Sequence, residues 1–154
     1  MNSISGDQQA ILEENMDALY KCAMQLRFSL DKCLTITPPF SAENLESIEA
    51  LTSRFARTAD VLTHKAVKSL VLYLSEDAMT FIDTANFLEK IRVATSFDDV
   101  IRIRELRNEI AHEYSNRDTE ELLHACLTFS PTLFGMMTRL VEYVHVLPRV
   151  TKER

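Results

Sequence analysis

The chain has 154 residues, 46% hydrophobic and 26% charged, which is enough apolar material for one domain with a buried core but not comfortably for two. Only two glycines and four prolines are present, so the glycine-rich loops of P-loop and dinucleotide-binding proteins and many-turned β-sheets are excluded. A net charge of -6, from 17 Lys and Arg against 23 Asp and Glu, disfavours a general affinity for nucleic acid.

The first half of the chain predicts two long amphipathic helices. Over residues 7–34, apolar side chains recur every three or four positions, and a following pair of prolines ends this helix. Ser41 is a good N-cap for the second helix, with Phe40 and Leu45 placed as a hydrophobic staple. The apolar stripe of this second helix continues to about residue 74.

The second half predicts up to four shorter helices, each opened by a residue that caps helix N-termini. The predicted starts are Asp77 or Thr80, Ser96 with Asp99, Asp118 with Glu121, and Ser130 before Pro131. The first, second and fourth of these helices end near residues 94, 114 and 147, and the third is short. We therefore expect an all-α antiparallel bundle of five to six helices, one domain over residues 1–154 with flexible ends at 1–6 and 149–154.

Cysteine usage and the N-terminus predict a cytoplasmic protein. Cys22, Cys33 and Cys126 form no close pair and leave one cysteine over, which argues against a disulfide framework and a thiolate zinc site. The polar start shows no targeting signal, and the longest apolar run, residues 70–74, is far too short to span a membrane.

The predicted fourth helix carries two distinct faces. Its core face holds Val100, Ile103, Leu106, Ile110 and Tyr114. Arg107 lies at the edge of that arc. On the other side Ile101, Asn108 and His112 form a second stripe, in which Asn108 and His112 are neighbours at i and i+4. This stripe predicts a second packing surface.

Residues 107–114 read Arg-Asn-Glu-Ile-Ala-His-Glu-Tyr and fit the pattern R-x4-H-x-Y. This block resembles HEPN domains, in particular the HepT toxins that pair with minimal nucleotidyltransferases, in which asparagine commonly follows the arginine. The segment 54–60 is similar to the second helix of HepT-like proteins. The likeness covers roughly residues 45–145 in helix order.

The resemblance implies a metal-independent endoribonuclease toxin without a cofactor, neutralised by a cognate nucleotidyltransferase antitoxin. His112 would take the 2′-hydroxyl proton, Arg107 would bind the phosphate, and Asn108 would orient the imidazole or the substrate. The tyrosine that corresponds to Tyr114 is modified with AMP in the family, although a core-edge tyrosine explains this position equally well. The alternative is a non-catalytic HEPN module that binds a nucleotidyltransferase or a nucleotide.

The spacing of Arg107 and His112 constrains such a site. Five residues correspond to about 140° around a regular helix, so the two side chains diverge. Either the helix end is distorted or the site draws on two chains. We expect a symmetric homodimer in which the stripe of Ile101, Asn108 and His112 faces its twofold mate.

Cations on two helices form a candidate RNA-binding surface. They are Arg54, Arg57, His64 and Lys68, which share one arc of the second helix, and Arg104 of the fourth. A solvated charged face explains this arc as well, but in an acidic chain it is a candidate track for an RNA backbone. The nearby acid, Asp60, is alternatively a partner of Arg107 across the bundle.

A rival constellation is the Glu-x-x-His pair, which ferritin-like bundles use to bind two irons. The pairs are Glu109 with His112, Glu121 with His124, and Glu142 with His145. All three point away from the apolar stripes of their helices, so they cannot share a central metal pair, and we expect no metal site. A plain structural bundle would leave the block at residues 107–114 unexplained.

Overall fold

The computed structural model describes residues 6–112 and 118–150, and all regular secondary structure in these two ranges is helical. The helices are α1 (Gly6–Cys33), α2 (Ala42–Asp60), a π-helical turn (Val61–Ala66), α3 (Val67–Tyr73), α4 (Phe81–Lys90), α5 (Phe97–Ala111) and α6 (Thr119–His145). Because α2, the π-helical turn and α3 follow one another without a break, the described residues form five helical rods. The predicted all-α bundle is confirmed.

A core of large aliphatic side chains holds the rods together. α1 packs along α2, the π-helical turn and α3, and α2 packs on its other sides against α5 and α6. Phe55 of α2 is the largest fully buried side chain, and leucines of every long rod are buried around it. Because α2 contacts α1, α5 and α6, it lies at the centre of the bundle, and α5 packs against it.

The helix starts follow the predicted capping residues. The Ser41 hydroxyl accepts a hydrogen bond from the Asn44 N–H, and the Ser41 N–H donates to Oδ1 of the Asn44 side chain. Thr80, not Asp77, caps α4, and Ser96 caps α5. These side chains satisfy backbone N–H groups that the first turn of a helix leaves without a partner.

The prediction of two helices separated at Ser130 is wrong, since α6 runs unbroken from Thr119 to His145 with Pro131 inside it. A Ser-Pro pair is a common helix start, but here the Ser130 side chain is fully buried and its Oγ donates to the Cys126 carbonyl at 2.6 Å. This bond within the helix, together with the burial of Ser130 and Leu133 in the core, keeps the rod continuous.

Two turns adopt left-handed backbone without glycine. Ser75 follows α3 with φ of 56°, and Arg92 follows α4 with φ of 60°. The reversal at Arg92 lets the N–H groups of Val93 and Ala94 bond back to the Leu88 carbonyl, so α4 ends at Lys90, earlier than the predicted residue 94. A non-glycine residue pays roughly 1–2 kcal/mol for this conformation.

The predicted flexible ends at 1–6 and 149–154 lie largely outside the described residues. Within the described residues, the Val150 N–H donates to Gln9 Oε1 at 2.8 Å, which places the end of the described chain against α1.

No helix in the ranges 6–112 and 118–150 combines the length and the apolar character that crossing a bilayer requires.

Candidate functional site

Arg107 of α5 forms a bidentate ion pair with Asp60 at the end of α2. Its Nε donates to Oδ1 at 2.7 Å and its Nη2 donates to Oδ2 at 2.8 Å. Each side chain is 35% exposed, so the pair lies at the edge of the core. The hydrogen bonds with Asp60 raise the pKa of Arg107. The predicted partnership across the bundle is therefore confirmed, and it fixes the plane of the guanidinium group.

A cavity of about 170 Å3 opens beside this pair, and we call it the Arg107 cleft. Its polar lining includes Asp60, His64, Arg104, Arg107 and Asn108. Asn108 Oδ1 accepts from Arg107 Nη1 at 3.4 Å, and His64 Nε2 lies 4.0 Å from Asp60 Oδ1. The cleft thus brings together Arg107 and Asn108, two of the three predicted catalytic residues, and His64 of the π-helical turn.

Arg104 enters the Arg107 cleft from one turn earlier on α5. Its guanidinium carbon lies 4.0 Å above the centre of the Phe81 ring, at the start of α4. A cation over an aromatic face is attracted by the ring quadrupole while its N–H edges stay available. α5 therefore presents two arginines to one cavity, one held by a carboxylate and one by an aromatic ring.

The π-helical turn determines where His64 points. The Val67 N–H bonds to the Leu62 carbonyl, five residues back instead of four, so this turn holds one residue more than an α-helical turn. The Thr63 hydroxyl donates to the Ala59 carbonyl at 2.9 Å, and the Asn15 side chain of α1 donates to the Lys65 carbonyl at 3.4 Å. Side-chain donors thus form hydrogen bonds with backbone carbonyls at and next to the widened turn.

The cations predicted to share one arc lie in separate places, and only Lys68 follows the π-helical turn. Arg54 faces α1, where its Nη1 donates to Ser29 Oγ at 2.8 Å, and it lines a groove of about 650 Å3 between the end of α1 and the start of α2. Lys68 lines a different cavity, which shares Thr63, His64 and Phe81 with the Arg107 cleft. Arg57 is exposed. The structure brings none of these three into the Arg107 cleft, in contrast to Arg104.

His112 stands at the exposed end of α5. The helix ends at Ala111, and His112 is its C-cap with extended backbone (φ −91°, ψ 118°), although its N–H still donates to the Asn108 carbonyl at 3.1 Å. The predicted helix to about residue 114 is thus shorter, and Tyr114 lies outside the described residues. Ile101, expected on the same outer stripe, is half-buried and packs against the core.

The Glu-x-x-His pairs occupy outer surfaces, as their helical positions predicted. Five of their six side chains are exposed: His112, Glu121, His124, Glu142 and His145. In the described part of the chain, no three His, Cys, Asp or Glu side chains come together as a possible metal site. The same ranges contain Cys33 as a buried thiol, whose pKa burial raises, which is typical of a structural cysteine.

Comparison of the sequence with models of known protein families and with curated proteins finds no match. The prediction that His64 lies on the surface is confirmed, since 71% of its side chain is exposed. The sequence analysis did not predict that His64 also lines the Arg107 cleft. Its position four residues after Asp60 was the available signal, because i and i+4 side chains are neighbours on a helix.

Proposed function

We propose that the chain is a metal-independent endoribonuclease of the HEPN type, a toxin that a cognate minimal nucleotidyltransferase restrains. The observation that carries the proposal is the bidentate pair of Arg107 and Asp60, which fixes the motif arginine beside Asn108 and Arg104. Three of the five N–H donors of Arg107 bond Asp60 and Asn108, so two remain for phosphate oxygens. Such a fixed guanidinium suits the charge that develops on a phosphate.

The reaction this supports is attack of a ribose 2′-oxygen on the neighbouring phosphorus. His112 takes the 2′-hydroxyl proton, the new bond from the 2′-oxygen to phosphorus forms, and the bond from phosphorus to the 5′-oxygen breaks. The leaving 5′-oxygen receives a proton from the imidazolium or from water. Histidine is suited to both transfers because its ordinary pKa lies near neutrality.

A second chain completes this site in the proposal. Arg107 points into its cleft, whereas His112 stands exposed where α5 ends, so the two functional groups leave one helix in different directions. A twofold dimer that brings the His112 of one protomer to the Arg107 cleft of the other supplies both groups to one phosphate. Modification of Tyr114 with AMP, two residues after His112, would add negative charge near this base and block the phosphate site.

The test of catalysis is cleavage of a fluorescent RNA in the presence of EDTA. His112→Ala should lower the rate about 100-fold or more, the usual contribution of an acid–base group. His124→Ala removes another exposed histidine, on α6, and should leave the rate unchanged. Equal rates for the wild type and His112→Ala would contradict the proposed role.

The test of the shared site is complementation between two inactive variants. Arg107→Lys keeps the charge but loses the planar fork, and His112→Ala loses the base. Equal mixing of their dimers should restore about a quarter of the wild-type rate, since half the dimers are mixed and one of their two sites is intact. A site contained within one chain would give no recovery.

The second candidate is a HEPN module that binds a nucleotidyltransferase or a nucleotide without cutting RNA. Asp60 occupies the side of the Arg107 guanidinium that matches a phosphate best, and this favours binding over cleavage because fewer N–H groups are left to stabilise the charge that develops on the phosphate during the reaction. Wild-type protein that binds mononucleotides but leaves RNA intact over a range of pH and salt would establish this candidate instead. Mass spectrometry after co-expression with a nucleotidyltransferase would detect an AMP adduct in either case.

A further inference from the structure

A second cavity of about 300 Å3 adjoins the Arg107 cleft, and we call it the Met79 pocket. It lies between the π-helical turn, α3 and the segment that leads into α4. Thr63, His64 and Phe81 line both cavities, so the two are neighbours that meet at these residues.

The Met79 pocket offers apolar surface and hydrogen-bond acceptors. Val67, Val71, Leu72, Ala78, Met79 and Phe81 form its apolar lining. Two threonine hydroxyls also line it, and both donate to backbone: Thr63 to the Ala59 carbonyl at 2.9 Å and Thr84 to the Thr80 carbonyl at 3.0 Å. Their protons are therefore used, so toward a ligand these two hydroxyls can act only as acceptors, which suits a ligand that carries N–H groups.

Each of the two cavities has basic side chains in its lining. Lys68 lines the Met79 pocket, and Arg104 and Arg107 line the Arg107 cleft, with His64 in both. Among the described residues that line the two cavities, Asp60 is the one carboxylate, and Arg107 holds it in a bidentate pair. A ligand with a flat, partly apolar end that bears N–H groups and an anionic end matches this distribution.

We propose that the Met79 pocket binds the nucleobase of the nucleotide whose phosphate lies in the Arg107 cleft. This base subsite rests on the proposed function, because it takes an RNA phosphate at Arg107 as given. A cavity near 300 Å3 stands at the small end of ligand pockets, which run to about 1,000 Å3, and so suits a single base. The threonine acceptors favour a base over an acyl chain, which has no N–H group to offer them.

Calorimetric titration of the full chain tests the subsite with four nucleoside monophosphates, ribose 5-phosphate and octanoate. At least one nucleoside monophosphate should bind about tenfold or more tightly than ribose 5-phosphate, the gain expected when one base stacks on apolar side chains. Leu72→Trp fills the pocket and should abolish this difference. Leu45→Trp is the matched control, because both leucines are 45% exposed and Leu45 does not line the pocket.

Ala78→Trp, at an exposed lining residue, is a second variant that should act as Leu72→Trp does. Equal affinity for ribose 5-phosphate and all four nucleotides, or tighter binding of octanoate, would overturn the base subsite. If the protein cleaves RNA but the base adds nothing to nucleotide affinity, the base subsite is wrong and the ribonuclease proposal stands. If nucleotide affinity depends on the base but RNA is not cleaved, the base subsite stands and the ribonuclease proposal is wrong.

Discussion

The ion pair of Arg107 and Asp60 gives the sharpest test of the structure. A double-mutant cycle with Asp60→Ala, Arg107→Ala and the double variant measures the coupling between the two side chains. Two hydrogen bonds to charged groups, at about 1.5–3 kcal/mol each, set the upper bound. Because each side chain is 35% exposed, water competes for these bonds, and exposed ion pairs contribute only about 0–1 kcal/mol. We expect a coupling free energy of about 1–2 kcal/mol.

Urea unfolding followed by circular dichroism at the helical band provides the measurement. The exposed pair of Asp17 and Lys21 on α1 is the internal control, with its ions 3.0 Å apart and side chains 61% and 74% exposed. Pairs of this kind couple by about 0.3–0.5 kcal/mol. A coupling for Asp60 and Arg107 no larger than that of the control would refute the claim that burial and bidentate geometry strengthen the pair.

Three further predictions concern stability. Pro131→Ala should stabilise the chain by about 1–3 kcal/mol in urea unfolding, because proline inside a helix lacks an N–H donor; a loss of stability would mean that packing requires the proline. Phe55→Ala should lower the free energy of unfolding by about 3–5 kcal/mol, measured by the same method. Phe28 is 65% exposed, so Phe28→Ala should lower it by less than about 1 kcal/mol. Similar losses for the two variants would contradict the described core. Hydrogen bonds from Thr80 lower the pKa of Asp83, so its contribution to stability is complete above about pH 4 and declines as the pH falls below it. The stability of Asp83→Asn should therefore fall less than that of the wild type as the pH drops below about 4. The same fall in both proteins would show that the Asp83 carboxylate does not stabilise the fold in this way.

Much of the fold follows from local signals in the sequence. Ser41, Ser96 and Asp118 cap helices where their side chains predict it, because N-capping depends on a few adjacent residues. The same local logic fails at Ser130, where tertiary burial decides whether a Ser-Pro pair starts a helix or lies within one. Burial of that residue depends on distant rods, which a capping pattern does not report.

The site was predictable up to the point where the helix changes its pitch. Asp60 and Arg107 could be paired in advance because each lies in a regular helix whose apolar stripe fixes its direction. Lys68 could not be placed, because its position was counted at 100° per residue through a segment that is π-helical. No residue type marks such a turn in the sequence, since its extra residue is tolerated by packing against α1 and not by local preference.

The π-helical turn gives this segment a tolerance for a change of length that the flanking helices lack. Removing one residue from Val61–Ala66 would convert it to an ordinary α-helical turn and leave α3 in its present orientation relative to α2, because the widened turn absorbs the extra residue. Removing one residue from the regular part of α2 would instead rotate the side chains beyond the deletion by about 100° relative to those before it. Homologous chains should therefore lose a single residue within the π-helical turn more readily than within α2 or α3.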